Sequence, residues 1–484
     1  MVPAVSLQAI NKLLEPEKLA QALVFFLLAT LPLIFGAVHP IVQGTYTFLI
    51  LVGFGGWLLY VLPEFPGKAW SWYWVGVPLV LIVYIILQSL PLPLSLVELL
   101  SPERATRIGM VNTLAQTNLA STSISDNGIT GLREAFFVFS LLLYYIVLVT
   151  LLRRNKNMVS GLLYVIAGVG LFEGMYGLLQ VMNPHMGILW LPVTSKGAAH
   201  GSIIYKNQYA SLLNMCWPLA LAGGILFLDS LKNPAEKKAR KGAIRTFFWS
   251  LSQLNIQIPL FFFSAGIMIL AVVFSFSRGG ILTMLLLICF LNIFMPCSRK
   301  IKLLLTLLLI FFLGGYGSLL GIDGVITRFS TIDNSGLNRL NIYLSSLPMF
   351  LDHWLTGIGL GSFKLLSGVY LKGFPENILF DRVHNDYIEL AIEIGLPMAL
   401  LFLTWLLSGI LITGKKLVQK KRIIHQECRT SILVGSAAFC SLLGFLIHGL
   451  VDFGWRLPAN AVYAVTLLAL ISYALHDSPL PAKD

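Results

Sequence analysis

Charged side chains are scarce in this chain of 484 residues. Aspartate, glutamate, lysine and arginine make up 12% of it, whereas 57% of the residues are hydrophobic. The core of a water-soluble protein cannot absorb that much apolar surface, so the composition excludes an ordinary soluble enzyme. Cysteine is also rare, and the five cysteines show neither an obvious pairing nor a metal-ligand spacing. The sequence therefore predicts no disulfide framework and no zinc site.

Long apolar runs make up most of the chain. A helix needs roughly 20 predominantly apolar residues to cross a bilayer with its backbone hydrogen bonds satisfied. The run that begins at Leu19 follows a segment too polar for a signal-peptide core, so we expect an uncleaved anchor there. The predicted fold class is an all-α polytopic membrane protein with about 12 transmembrane helices, in a single transmembrane domain over residues 1–484. The predicted spans are residues 19–36, 44–62, 74–90, 133–151, 158–181, 208–228, 257–276, 279–295, 303–320, 386–413, 430–447 and 458–475.

Most of the 34 basic residues fall at the termini or in alternate connections between these spans. By the positive-inside rule these connections and both termini are cytoplasmic. The net charge of +12 therefore reflects topology. The clusters flank apolar spans and lack interleaved aromatic residues, which argues against a nucleic-acid partner. The connections predicted to be cytoplasmic carry Lys68, Arg153, Arg154, Lys156, Lys232, Lys237, Lys238, Arg240, Lys241, Arg245, Arg299, Lys300, Lys302, Lys415, Lys416, Lys420, Lys421, Arg422 and Arg429.

The longest connection on the opposite face runs over residues 321–385, between predicted helices 9 and 10, and long loops are often functional. We expect it to form a periplasmic subdomain that carries Arg339 and leads into His384. Leucines recur at helical spacing after Arg339, which predicts an amphipathic helix along the membrane surface. Gly357, Gly359 and Gly361 come next, but no strand precedes them as a nucleotide-binding loop requires. We expect a turn whose bare backbone closely approaches a ligand or a helix.

Arg278 stands in the segment SFSRGG, between two uncharged runs that are too long together for one span. The chain must turn there, and we expect Gly279 and Gly280 to allow a tight hairpin. Arg278 would then lie near the non-cytoplasmic surface. It either anchors a helix end or has a functional role.

His384 is the second residue of the segment VHNDYIELAIEIGL, where the long connection re-enters the membrane. A neutral imidazole can accept a proton from an attacking hydroxyl, whereas a structural histidine only donates to a carbonyl. Asn385 and Asp386 are helix-start residues. The polar residues around the start of this helix favour the functional interpretation; they are Arg382, Asp386, Tyr387 and Glu389.

Two further groups of polar residues lie on this face. His448, Asp452 and Arg456 are four residues apart, so on a helix they would share one face, as a salt-bridged helix end or as support for the site. Lys206 and Asn207 begin a predicted helix, where they either bind phosphate or mark the membrane interface.

Six segments, in order, carry a resemblance to a known family. The sequence resembles the O-antigen ligase and polymerase family of bacterial membrane enzymes, which move glycans from undecaprenyl diphosphate carriers. One departure concerns the segment before predicted helix 6: family members often have Asn-Arg-Asn where this chain has Tyr205-Lys206-Asn207, and lysine lacks the bidentate fork of arginine. The matching segments are GSIIYKNQYA, SFSRGG, Asn338-Arg339, LTGIGLGSF, VHNDYIELAIEIGL and HGLVDFGWRLPANA.

The resemblance implies a twelve-helix fold related to membrane glycosyltransferases of the GT-C type, with a periplasmic loop over the site and neither a metal nor another cofactor. By motif position, Arg278 and Arg339 would bind the diphosphate of the donor, and His384 would be the general base. The expected partners are an undecaprenyl-diphosphate-linked glycan, a lipid A core or glycan acceptor, and membrane lipids. The expected location is the bacterial inner membrane, with the active site on the periplasmic side.

Several alternatives stay open. A ligase and a polymerase share this chemistry and differ in the acceptor, which is the lipid A core or a second lipid-linked repeat unit; the His-Asn segment favours a ligase. A protein-directed oligosaccharyltransferase is a third possibility. A lipid-linked oligosaccharide flippase would bind the same diphosphate without chemistry, but it needs basic residues within its spans, and here they cluster at the outer mouths.

Overall fold

A computed structural model describes most of the chain. The described residues are 15–61, 72–194, 197–230, 256–297, 335–372, 374, 380–422 and 429–477, with isolated positions between 302 and 314. Helices dominate these ranges. They are α1 (Pro16–Leu33), α2 (Pro40–Val61), α3 (Trp72–Ser89), α4 (Leu94–Leu100), α5 (Pro102–Ala115), α6 (Gly128–Arg154), α7 (Asn157–Met182), α8 (Lys206–Ser230), α9 (Gln257–Phe274), α10 (Arg278–Phe294), α11 (Ser335–Asp352), α12 (Phe363–Tyr370), α13 (Asp386–Arg422), α14 (Arg429–His448) and α15 (Pro458–Asp477), with a 3₁₀ turn at Phe35–Ala37.

The strands in these ranges form two short antiparallel ribbons. One pairs β1 (Leu92–Pro93) with β2 (Ser121–Thr122), and the other pairs β3 (Gly187–Ile188) with β4 (Leu191–Thr194). Within the described residues, 10 helices are long and apolar enough to cross a membrane, and α10 is a shorter apolar helix. The prediction of an all-α polytopic membrane protein is confirmed.

Eleven of the predicted spans coincide with helices to within a few residues at most ends. The remaining one, residues 303–320, lies almost entirely outside the described residues. The total of twelve, the extent of the 321–385 subdomain and the side of each terminus therefore stay predictions.

The helices pack around one large apolar core. Helix α8 contacts α7, α9 and α14, and α14 also contacts α10 and α15. The largest fully buried side chains include Trp217, Tyr144, Tyr209 and Tyr463. Tyrosine hydroxyls within this core are paired: Tyr144 bonds Thr466 at 2.8 Å, and Tyr463 donates to the Leu28 carbonyl at 2.9 Å. Such pairing is what burial of a polar group requires.

Helix α13 begins where it was predicted to begin but differs from its prediction in two ways. It continues to Arg422, so Lys415, Lys416, Lys420 and Lys421 lie on a helix and not in a loop. Lysine and arginine are good helix formers, and hydropathy alone does not register an extension beyond the bilayer. Near the other end, Gly395 has φ +75° and interrupts the helix, so α13 consists of two helical sections.

Outside the spans, His353 follows the last residue of α11 and contacts two residues near α5. Ser101 lies just before that helix and Arg107 lies within it. The Nε2 of His353 lies 3.2 Å from Nη1 of Arg107, and its Nδ1 lies 3.4 Å from the Ser101 hydroxyl. A guanidinium only donates, so Nε2 must accept and His353 must be neutral. Burial and then the positive charge of Arg107 lower the pKa of His353 to about 4.

This arrangement predicts a pH-dependent stability. The unfolded chain binds a proton at His353 near pH 6.5, whereas the folded chain does so only near pH 4. The contribution of the neutral His353 to the free energy of unfolding is therefore fully present above about pH 6.5. This contribution falls by up to about 3 kcal/mol as the pH drops to 4. Thermal unfolding in detergent across this range should show a smaller slope for His353→Gln, with the exposed His185→Gln unchanged. An equal slope in His353→Gln would contradict the assignment.

Candidate active site

The chain between α14 and α15, residues 449–457, forms an irregular segment that we name the linking turn. Helix α14 ends at His448 and α15 begins at Pro458. The prediction that His448, Asp452 and Arg456 share one helical face is wrong, because glycines at 449 and 454 and the proline at 458 interrupt the helix. Asp452 and Arg456 instead reach different partners, and His448 is buried beside the linking turn.

Asp452 connects the two residues that the sequence predicts to carry the chemistry. Its Oδ1 lies 3.6 Å from Nδ1 of His384, and its Oδ2 lies 3.5 Å from Nη2 of Arg339. The Arg339 Nη1 also donates to the Val451 carbonyl at 2.6 Å. His384 and Arg339, 45 positions apart in the sequence by their numbering, are thus brought to opposite oxygens of one carboxylate.

The His384 ring has a defined orientation. Its Nδ1 is buried and meets no hydrogen-bond acceptor at ordinary distance among the described residues, so the nearby Asp452 carboxylate is the group that it faces. A separation of 3.6 Å is slightly long for a hydrogen bond. The side chain is one-third exposed. Because Nδ1 is buried, that exposure belongs to other atoms of the side chain.

The backbone at His384 is held in the left-handed region, with φ +64°. This conformation is uncommon for residues other than glycine, and it costs roughly 1 kcal/mol or more. The Tyr343 hydroxyl donates to the His384 carbonyl at 2.9 Å, and the Phe453 ring contacts the imidazole edge-on with centroids 5.0 Å apart. Contacts from α11 and from the linking turn thus hold the backbone and the ring of His384 in place.

Asp452 is ionised in this setting. Burial alone would raise its pKa, but the approach of His384, the neighbouring His448 and the Arg339 cation together lower the pKa below the usual value. A carboxylate that stays charged can hold the Nδ1–H tautomer of His384 and stabilise an imidazolium.

Asn385 and Asp386 have structural contacts. The Asn385 Oδ1 accepts hydrogen bonds from the amides of Tyr387 and Ile388 at 3.0 Å, which caps the start of α13. The Asp386 Oδ2 accepts from the Gly454 amide at 2.9 Å. Both residues therefore fasten α13 to its surroundings and hold the linking turn next to His384.

Arg382 and Arg456 belong to an ionic network around two glutamates of α13. Arg382 donates to Glu389 at 2.8 Å, while Arg456 lies 3.6 Å from Glu389 and bonds Glu393. Glu393 is fully buried, and its Oε1 also accepts from the Gly361 and Phe363 amides. Glu393 was not among the residues predicted from the sequence, although a second carboxylate four residues after Glu389 in an apolar helix was a usable signal.

The glycine-rich segment packs backbone against backbone on α13, as predicted for a close approach to a helix. The amides of Ile358 and Gly359 donate to the carbonyls of Ile392 and Glu393. A Cβ on Gly357 would lie 2.3 Å from the Glu393 carbonyl oxygen, so no other residue fits there. This contact fixes the long connection relative to the start of α13.

Arg278 is the first residue of α10, and Ser277 caps that helix by accepting from the Gly280 amide at 3.1 Å. The prediction that Gly279 and Gly280 form the hairpin is wrong, since both lie in α10 and the turn occurs at Phe276, with φ +51°. The glycines serve close packing instead. A Cβ on Gly279 would lie 2.9 Å from Val451 and 3.2 Å from His448 Nε2. The first turn of α10, which carries Arg278, thus packs on His448 and on Val451, whose carbonyl accepts from Arg339.

Lys206 begins α8, and the neighbouring residues contact the linking turn. Gln208 donates to the Phe453 carbonyl at 2.9 Å, and Tyr205 contacts the Phe453 ring edge-on. Asn207 lines a small cavity beside His448 and Asp452. The proposed phosphate role of Lys206 and Asn207 stays a prediction.

Most of the predicted site residues fall into two groups, with His448, Lys206 and Asn207 outside them. Arg339, His384 and Asp452 are in direct contact, and the first turn of α10 packs beside them. Arg382, Asn385, Asp386 and Arg456 hold the surrounding backbone. Among the described residues, no group of three or more histidine, cysteine, aspartate or glutamate side chains is arranged to hold a metal ion.

A comparison with known proteins finds a matching family. Residues 263–403 match the family described as O-antigen ligase. No curated protein matches the chain. The matched range includes Arg278, Arg339 and His384, whereas Asp452 lies beyond it. The match supports a function of the O-antigen ligase and polymerase type for this part of the chain.

Proposed function

We propose that this chain, a member of the O-antigen ligase family through residues 263–403, transfers an oligo- or polysaccharide from undecaprenyl diphosphate to a hydroxyl of the lipid A core. The observation that carries the proposal is the Asp452 carboxylate between His384 and Arg339. The proposed base, His384, and a proposed ligand of the diphosphate, Arg339, thereby contact the same buried carboxylate.

In the proposed reaction, His384 takes the proton of the acceptor hydroxyl through Nε2 as the oxygen attacks the anomeric carbon. Asp452 keeps the Nδ1–H of the ring in place and stabilises the imidazolium that forms. The bond from the anomeric carbon to the diphosphate oxygen breaks, and its electron pair leaves with undecaprenyl diphosphate. Direct displacement inverts the configuration at that carbon.

Arg278 and Arg339 are the proposed ligands of the diphosphate. A guanidinium has five N–H donors, and Arg339 uses two in the contacts described, so it keeps donors for an oxyanion. Charge-assisted bonds of this kind stabilise a polyanionic leaving group. The site is proposed to lie on the periplasmic side of the inner membrane, with both termini in the cytoplasm.

A polymerase that joins lipid-linked repeat units is the alternative, and a flippase is the alternative from another class. The basic residues of the described spans lie near helix ends, which favours chemistry at the membrane surface over passage through a charged cavity.

The experiment that separates these functions uses purified protein in liposomes with a labelled lipid-linked glycan. Lipid A core is added as one acceptor, and unlabelled lipid-linked repeat units are added as the other. A ligase gives labelled lipid A core. A longer lipid-linked chain identifies a polymerase, and carrier movement without a new glycosidic bond would overturn both.

A further inference from the structure

A small cavity lies behind Asp452, between the first turns of α8 and the end of α14. Its volume is about 10 Å³, and its lining includes Asn207, Gln208, Ser211, His448 and Asp452. A cavity of this volume is about the least that holds one water molecule, and its lining is polar enough to bind one.

Polar atoms around this cavity lack partners. His448 is 3% exposed, and neither of its ring nitrogens meets a hydrogen-bond partner among the described residues. The Oε1 of Gln208 is also buried without a partner there. A buried polar group left unpaired loses its hydration without compensation, so a native fold rarely leaves three such atoms together. The two ring nitrogens of an imidazole point in different directions, so one water pairs with one nitrogen of His448 and can donate to the amide oxygen of Gln208.

The same residues hold the linking turn. Gln208 donates to the Phe453 carbonyl at 2.9 Å, and the Asp452 amide donates to the His448 carbonyl at 3.1 Å. Phe453 in turn contacts the His384 ring. A group that fixes His448 and Gln208 therefore also fixes the backbone that presents Asp452 to His384.

We propose that this cavity is a buried water site, in which His448 and Gln208 hold one water that locks the linking turn. His448 is accordingly a positioning residue that acts on His384 through Asp452. The role in turnover rests on the proposed function, whereas the water site itself does not.

Two substitutions remove the water in different ways. His448→Leu removes the ring nitrogens, and Ser211→Val fills the cavity while His448 stays in place. Both should lower kcat roughly 10- to 100-fold, the usual effect of losing a hydrogen-bond partner that orients a functional side chain, and leave the KM for the lipid-linked donor unchanged. His448→Gln keeps a donor and an acceptor and should recover most of the activity. The matched control is the equally buried His353→Gln, which should lose stability without a change in kcat.

A cryo-EM reconstruction of the full-length protein that resolves ordered waters provides the second measurement. It should show a single water peak between His448 and Gln208, absent from Ser211→Val. A cavity without density in the wild-type protein overturns the proposal, as does wild-type kcat in folded Ser211→Val. If His448→Leu does not fold, Ser211→Val and the reconstruction decide. If the wild-type protein forms no glycosidic bond, the proposed function fails, and the water peak still decides whether the site exists.

Discussion

His384→Ala should lower the kcat of glycan transfer by about 10²–10⁴-fold, the usual contribution of a positioned general base. The acceptor hydroxyl would lose the group that removes its proton, while Arg278 and Arg339 remain to bind the donor. The affinity for the lipid-linked donor should therefore stay near that of the wild-type protein. The measurement is single-turnover transfer in liposomes with saturating donor, together with donor binding in the absence of acceptor.

Two companions separate chemistry from folding. Because His384 has φ +64°, His384→Asn keeps a side chain that tolerates this backbone and still lacks a base of suitable strength. It should be as inactive as the alanine variant and unfold at the temperature of the wild-type protein. The exposed His185→Ala is the control for loss of a histidine on the surface and should transfer normally. Transfer within a few-fold of the wild type in folded His384→Asn would exclude His384 as the base.

Arg339→Ala should reduce kcat/KM for the donor by roughly 10²–10³-fold, because a cation that contacts the leaving diphosphate acts most strongly as charge develops on it. Arg339→Lys should recover only part of the loss, since an ammonium cannot form the paired bonds of a guanidinium. Steady-state kinetics with varied donor, and binding of undecaprenyl diphosphate alone, measure both effects.

A matched cation on the same long connection controls for a general change in surface charge. Lys364 pairs with Asp381 at 2.8 Å, and both side chains are more than half exposed. Lys364→Ala should keep the kinetics of the wild-type protein. An unchanged KM and kcat in Arg339→Ala would show that this arginine only ties α11 to the linking turn.

The spans were predictable because a bilayer requires long apolar helices, and a long apolar run can be recognised from the local sequence. The interruption of α13 at Gly395 was not, because it depends on the close approach of Leu355, whose carbonyl oxygen would lie 2.5 Å from an added Cβ. Hydropathy carries no information about such a contact between distant segments.

The candidate site shows the same division. Arg339 and His384 are polar residues in the long connection between two apolar spans, so the sequence alone identifies them as candidates. Asp452 was grouped with His448 and Arg456 on a helix that the structure interrupts, and its actual partners come from two other parts of the chain. A residue that acts by orienting others has no local pattern of its own, which also explains why Glu393 was missed.

The central claim is that a base-activated hydroxyl displaces the lipid diphosphate directly. The most direct test is the configuration of the new glycosidic bond, determined by NMR on the product that purified wild-type protein forms from a donor of known anomeric configuration. Direct displacement predicts a linkage of inverted configuration. A retained configuration would require a covalent glycosyl intermediate and would contradict the role assigned to His384.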